Sequence, residues 1–121
     1  MVDGVVLLGH GSRLAAANLP LMEAARLSSL RLGGVPVYPA FLQLAEPTLA
    51  RAVEKLREAG GRRIAVVPFF LYPGAHVQED IPAEIIRLKG LYPDLTLTLT
   101  EHLGIHPLMA DIVAELVKTA G

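Results

Sequence analysis

Cysteine and tryptophan are absent from the chain. Without thiols there is no disulfide framework and no thiolate metal site, so any metal must rest on histidine, carboxylate or atoms of the ligand itself. Aromatic residues are scarce, three Phe and three Tyr, so the crowding of Phe69, Phe70 and Tyr72 stands out. Charge of one sign is also lacking: 11 Lys and Arg stand against 12 Asp and Glu, for a formal charge of −1. With no basic block, a nucleic-acid partner is not expected. No apolar run approaches the ~20 residues that cross a bilayer. No basic segment precedes an apolar stretch at the N-terminus, so no signal peptide is expected and a cytoplasmic location is the default. What the chain has in quantity is apolar residues, 52% of 121. That suffices for one compact domain, residues 1–121, with a large core.

Apolar runs alternate with helical patterns. Residues 4–8 read as a strand, followed by a Gly/Ser/Asn loop over 9–18 with a short helical run near Ala15 and Ala17. Asn18 suits an N-cap and Pro20 a first turn, so a helix is expected over 19–32, carrying Met22, Ala25, Leu27 and Leu30 and ending at Gly33-Gly34. The second strand spans 35–41, and Pro36 and Pro39 assign it to a sheet edge. Glu46-Pro47 opens a helix carrying Leu49, Ala50, Val53 and Leu56, and Gly60-Gly61 closes it. The third strand is 63–68. The next helix begins between His76 and Pro82, with Asp80 as its N-cap rather than a general base, and ends near Gly90. A fourth strand covers 95–99, where Thr alternates with Leu and implies a partly wet face. Pro107 opens the last helix, with Leu108, Ile112, Val113, Leu116 and Val117.

This βαβαβαβα order predicts an α/β fold, flavodoxin-like and three-layered, with a four-stranded parallel sheet in the order 2-1-3-4. Ligands in such sheets bind outside the carboxyl ends of the strands, where the order reverses. His10 follows the first strand and His76 the third, so both imidazoles are expected in one crevice. Two neutral imidazoles facing one cleft can bind a metal or move protons.

Each candidate has a plainer alternative. Gly9-His10-Gly11-Ser12 permits a sharp turn with amides open to an anion, or is a tight turn with an incidental histidine. It fits neither the dinucleotide nor the phosphate-loop pattern, and Ser12 lacks a nucleophile elbow. Phe69, Phe70, Leu71 and Tyr72 can be core, but three aromatics in four positions cannot all point inward from a strand. At least one should face the cleft or a partner, where a flat apolar ligand would suit it. Glu46 is either a helix-start carboxylate or a cleft residue. Gln43 can hydrogen-bond but takes up no proton at neutral pH. His102 and His106 share a loop, with solvent or capping roles favoured and His106 as a cap before Pro107.

Four strings carry a family resemblance: Leu8-Gly9-His10-Gly11-Ser12-Arg13, Phe41-Leu42-Gln43-Leu44-Ala45-Glu46-Pro47, Val67-Pro68-Phe69-Phe70-Leu71 and Gly74-Ala75-His76-Val77-Gln78-Glu79-Asp80-Ile81-Pro82. Together they resemble the short-form class II tetrapyrrole chelatases, which insert a divalent metal, usually Co²⁺ and in relatives Ni²⁺ or Fe²⁺, into sirohydrochlorin. The likeness runs on to Leu103-Gly104-Ile105-His106-Pro107.

The resemblance implies a single chelatase half-domain that pairs as a homodimer. It implies His10 and His76 as the metal and proton residues, no organic cofactor, and the metal as a substrate. The macrocycle would lie against Phe70, Leu71 and Tyr72. Its carboxylates would approach the amides of Gly9, Gly11 and Ser12 and the guanidinium of Arg13, with Gln43 and Glu46 beside it. The family often carries Glu where this chain has Gln43, which leaves Glu46 as a substitute only if it turns inward. Two rival expectations stand: a non-catalytic metal or tetrapyrrole carrier, favoured by Gln43, and a nucleotide-binding or hydrolase module resting on residues 9–12.

Overall fold

The computed structural model describes the backbone from Met1 to Gly121 and every side chain except that of His76. The elements follow in the order Gly4–Gly9 (β1), Ala15–Arg31 (α1), Val37–Phe41 (β2), Leu49–Glu58 (α2), Arg63–Pro68 (β3), Ala75–Leu91 (α3), Thr96–Leu99 (β4), a 3₁₀ turn at Leu103–Ile105, and Leu108–Thr119 (α4). The four strands form one parallel sheet in the order β2-β1-β3-β4, as expected.

β1 lies inside the sheet and is buried along its whole length, which explains its unbroken apolar run. Leu7 lies opposite Pro39 on one side and Val67 on the other. β2 occupies the edge, where Pro39 costs no ladder bond on its free side. The two-residue period of β1 splits the core between the sheet faces. Val5 and Leu7 pack with Leu21, Ala25 and Phe41 beneath α1. Val6 and Leu8 pack with Ala52, Val53 and Leu56 of α2 and with Ile81, Ile85 and Leu88 of α3. In β4, Leu97 is buried while Thr96 and Thr98 are exposed, as the alternation implied.

Helix starts depart from expectation. α1 begins at Ala15, so Asn18 lies inside it and is not an N-cap, and Pro20 is interior. α3 begins at Ala75 with Gly74 as N-cap, so Asp80 is not a cap either, and Pro82 is interior. Each proline deprives the carbonyl four residues earlier of its donor, at Ala16 and Gln78. Both of those residues are exposed, so water can take the donor's place. α2 begins at Leu49, after a cis Glu46–Pro47 peptide; Thr48 is the cap, and its hydroxyl accepts from the Arg51 N–H at 3.2 Å.

The burial of two helices also differs. In α1 the inward residues are Leu21 and Ala25, whereas Met22, Leu27 and Leu30 are exposed. α4 buries nothing: Leu108, Ile112, Val113, Leu116 and Val117 are between 47% and 65% exposed. Periodicity had marked an apolar face correctly, but this domain does not cover it.

At the opposite edge from the carboxyl ends, the Asp3 carboxylate accepts the N–H groups of Arg62 and Arg63, each at 2.9 Å. The Arg63 N–H in particular holds the Asp3 carboxyl below the usual value. Asp94 is held low chiefly by the Arg57 side chain, 3.0 Å away, which also stacks over Tyr92 at 4.8 Å. A carboxyl with a depressed folded pKa contributes stability that is whole above its unfolded pKa, about 3.9, and is lost as pH falls through the folded value. We therefore expect Asp3→Asn and Asp94→Asn each to lower the melting temperature near pH ~6 and to flatten its decline toward pH ~2. Calorimetry across that range checks this; a mutant decline as steep as the wild type's would contradict it.

Candidate functional site

The loops after all four strands gather at one edge of the sheet, and the strand order reverses across β1. That reversal opens the crevice at which parallel α/β sheets bind ligands. Beyond the strands the backbone stays zipped. The Leu42 N–H donates to the Gly9 carbonyl at 2.9 Å and the Gln43 N–H to the His10 carbonyl at 3.1 Å. The Phe69 N–H donates to the Leu8 carbonyl at 2.8 Å, and the Gly104 N–H to the Phe70 carbonyl at 3.0 Å.

Two glycines make these approaches possible. Gly11 has φ +93°, and a Cβ there would stand 1.9 Å from the Gln43 carbonyl oxygen. A Cβ at Gly104 would stand 2.2 Å from the Leu71 carbonyl oxygen. Leu44, next to Gln43, is held at φ 63°, a strained conformation for a branched side chain.

His10 is exposed, and its ring centroid lies 4.3 Å from that of Phe70 with the planes tilted by 47°. Phe70 itself is buried. It therefore supports the imidazole from below rather than offering the open apolar wall expected of it. Phe69 is half-buried against the α1-side core. Of this segment only Leu71 and Tyr72, 50% and 89% exposed, are free to meet a ligand or partner.

His10 stands between two cavities. One, of about 300 Å³, is lined by Gly9, His10, Gly11, Ser12 and Phe69 on the α1 side. The other, of about 470 Å³, is lined by His10, Gln43, Thr48, Asp80 and Glu84 over an apolar floor that includes Ile81. The Ser12 amide is not open to an anion as expected: its N–H donates to Asn18 Oδ1 at 3.0 Å, and Asn18 Nδ2 donates back to the Ser12 carbonyl at 2.9 Å. The Ser12 hydroxyl accepts the Leu14 N–H at 3.1 Å, a capping use. Arg13 is exposed beside this loop.

Other candidates lie apart. Glu46 lines a separate depression with Arg51 and Lys55 and does not reach the lining around His10. His102 lines a third cavity, of about 360 Å³, with Gln78 and Glu101. His106 acts as the expected cap, its Nδ1 accepting the Leu108 N–H at 3.1 Å. His76 occupies the first turn of α3 rather than a loop. Its side chain is outside the described residues, and so is the expected meeting with His10. The sequence reading missed Thr48 and Glu84 as lining residues, favoured a cap over a general base for Asp80, and missed Asn18 as the clamp on Ser12. A helix begun at Ala75 would have placed Val77, Asp80, Ile81 and Glu84 on one face.

A parallel α/β domain with an exposed imidazole between two cavities at its switch point has the arrangement at which such folds bind small ligands. The chain belongs to the CbiX family, whose model matches residues 4–120. It is 34% identical over 116 residues to the chloroplastic sirohydrochlorin ferrochelatase of Arabidopsis thaliana, covering 96% of this chain and 52% of that protein. To the sirohydrochlorin cobaltochelatase of Methanopyrus kandleri it is 32% identical, covering 96% and 95%. Among solved structures, a CbiX cobalamin-biosynthesis protein of Marinobacter aquaeolei VT8 matches with TM-score 0.85 at 30% identity, covering 97% and 95%. SirB from Bacillus subtilis with Fe³⁺ matches with TM-score 0.85 at 30% identity, covering 100% of this chain but 48% of SirB. The chain thus spans about half the length of the plant and Bacillus relatives.

The Gly11–Gln43 approach is testable. Gly11→Ala should destabilise the domain by about 1–3 kcal/mol, the scale of one strained backbone position, because backbone rather than a flexible side chain must move. Urea unfolding measures the loss; an unchanged midpoint would mean that the two loops part freely.

Proposed function

We propose that the chain is the half-unit of a cytoplasmic sirohydrochlorin chelatase that inserts a divalent metal, Co²⁺ foremost. The observation that carries this reading is the exposed His10 imidazole, seated on buried Phe70 between two cavities. Insertion exchanges two pyrrole N–H protons for one dication. Imidazole suits both halves of that exchange, since it can take a proton near neutral pH and ligate a metal without holding it permanently. His10 works with His76, which opens α3 at the same edge of the sheet. No organic cofactor takes part, and the metal is a substrate. The macrocycle leans on the exposed Leu71 and Tyr72, and Arg13 meets its peripheral carboxylates. Relatives named for cobalt and for iron support the chemistry without choosing the metal. The affinity order of divalent metals is similar at most such sites, so supply decides.

The partner is a second copy of the chain. α4 and the outer face of α1 together expose Met22, Leu27, Leu30, Ile112, Leu116 and Val117, and the whole chain aligns to about half of SirB. A non-catalytic carrier is the second reading, favoured by Gln43 at the cavity where a carboxylate base would be useful.

His10→Ala and His76→Ala should each lower the insertion rate by about 10²–10⁴-fold, the usual effect of losing one general base. Gln43→Glu should raise the rate or move its pH profile lower, while Glu46→Gln, outside the lining of both His10 cavities, should do little. If neither histidine substitution slows insertion beyond about threefold, the carrier reading replaces the enzyme. Sedimentation should give a dimer at tens of micromolar, the working range for an interface with a Kd near micromolar, ~8 kcal/mol. A monomer there would remove the second copy.

A further inference from the structure

The cavity between His10 and α3 contains a carboxylate that the histidine-based reading leaves unused. Asp80 lies inside α3, one helical turn after His76, and lines the 470 Å³ cavity together with His10 and Gln43. Glu84, one turn further, lines the same cavity but pairs with Arg87 on its own helix, which offsets its charge. Asp80 forms no ion pair among the described residues. The polar residues that line the cavity from the loop after β2, Gln43 and Thr48, are both neutral. A cleft lined by one sign of charge concentrates the counter-ion and lowers the cost of bringing a dication against imidazole.

We infer that Asp80 is the carboxylate that captures the incoming divalent metal on the α3 wall of the cavity and holds it beside His10. The assignment rests on the reading of this cleft as a metal-insertion site. Asp80 binds the dication before the macrocycle arrives, either directly or through a coordinated water, and Gln43 orients the opposite side of that hydration shell. A carboxylate at either position satisfies the cavity, so the charge on α3 makes the neutral Gln43 tolerable. Asp80 is exposed, and its replacement removes no core contact.

The test is equilibrium binding of Co²⁺ alone, at fixed pH, to the full chain and its variants. Asp80→Asn should raise the Co²⁺ Kd about tenfold, equivalent to 1.4 kcal/mol. Asp80→Glu should stay within about threefold of wild type, and Gln43→Glu placed in the Asp80→Asn background should restore binding. Glu79→Gln, one residue away but outside the cavity lining, should leave binding unchanged and so excludes a general surface effect. Wild-type Co²⁺ affinity in Asp80→Asn would overturn the assignment, as would equal losses in Glu79→Gln. Insertion into sirohydrochlorin, followed on the same proteins, separates the two levels. If His10→Ala abolishes insertion while Asp80→Asn binds Co²⁺ normally, Asp80 alone is refuted. If wild type inserts nothing yet Asp80→Asn binds Co²⁺ weakly, the chelatase reading falls and Asp80 remains a metal residue.

Discussion

The site depends on how closely the loop after β1 can approach the loop after β2. Gly11 permits that approach, since any side chain there would run into the Gln43 carbonyl. Two backbone hydrogen bonds, from Leu42 to Gly9 and from Gln43 to His10, then fasten the loops together. Asn18 closes the other side by bonding both polar groups of the Ser12 peptide. His10 is thereby fixed at the switch point of the sheet, with Phe70 beneath it. An imidazole held this way needs little reorganisation before it meets a ligand, as the proposed metal and proton roles require. The strain at Leu44 is local to the same loop, where a functional site can retain it.

The strand order was legible because apolar runs in β1 and β3 mark interior strands, and Pro36 and Pro39 mark an edge. The position of His10 at the carboxyl edge followed from that order. Other features were less legible. Pro20 and Pro82 looked like helix starts because proline suits a first turn, but exposed carbonyls at Ala16 and Gln78 let both helices begin earlier. Misplacing the start of α3 concealed Asp80, which reads as a cap only if the helix begins beside it. Phe70 read as an open wall, whereas its ring is buried under His10, a contact that no one-dimensional pattern displays.

The exposed faces of α1 and α4 teach a related lesson. Helical periodicity identifies a face that avoids water but not the surface that covers it. α4 carries five apolar residues at helical spacing, and none is buried within this domain. Contiguous apolar surface of this kind marks an interaction site more often than a monomer's ordinary exterior. The chain spans about half of SirB, and the proposed second copy would cover such a face. Pairing would then affect the site as well as stability, because a macrocycle larger than either His10 cavity needs further walls.

We propose that this cleft exchanges pyrrole protons for a metal ion, and the absorption spectrum of sirohydrochlorin reports that exchange directly. Sirohydrochlorin mixed with Co²⁺ and catalytic amounts of the wild-type chain should lose the spectrum of the free macrocycle at a rate proportional to protein concentration. Conversion no faster than in protein-free controls, with Co²⁺, Ni²⁺ and Fe²⁺ alike, would contradict the account.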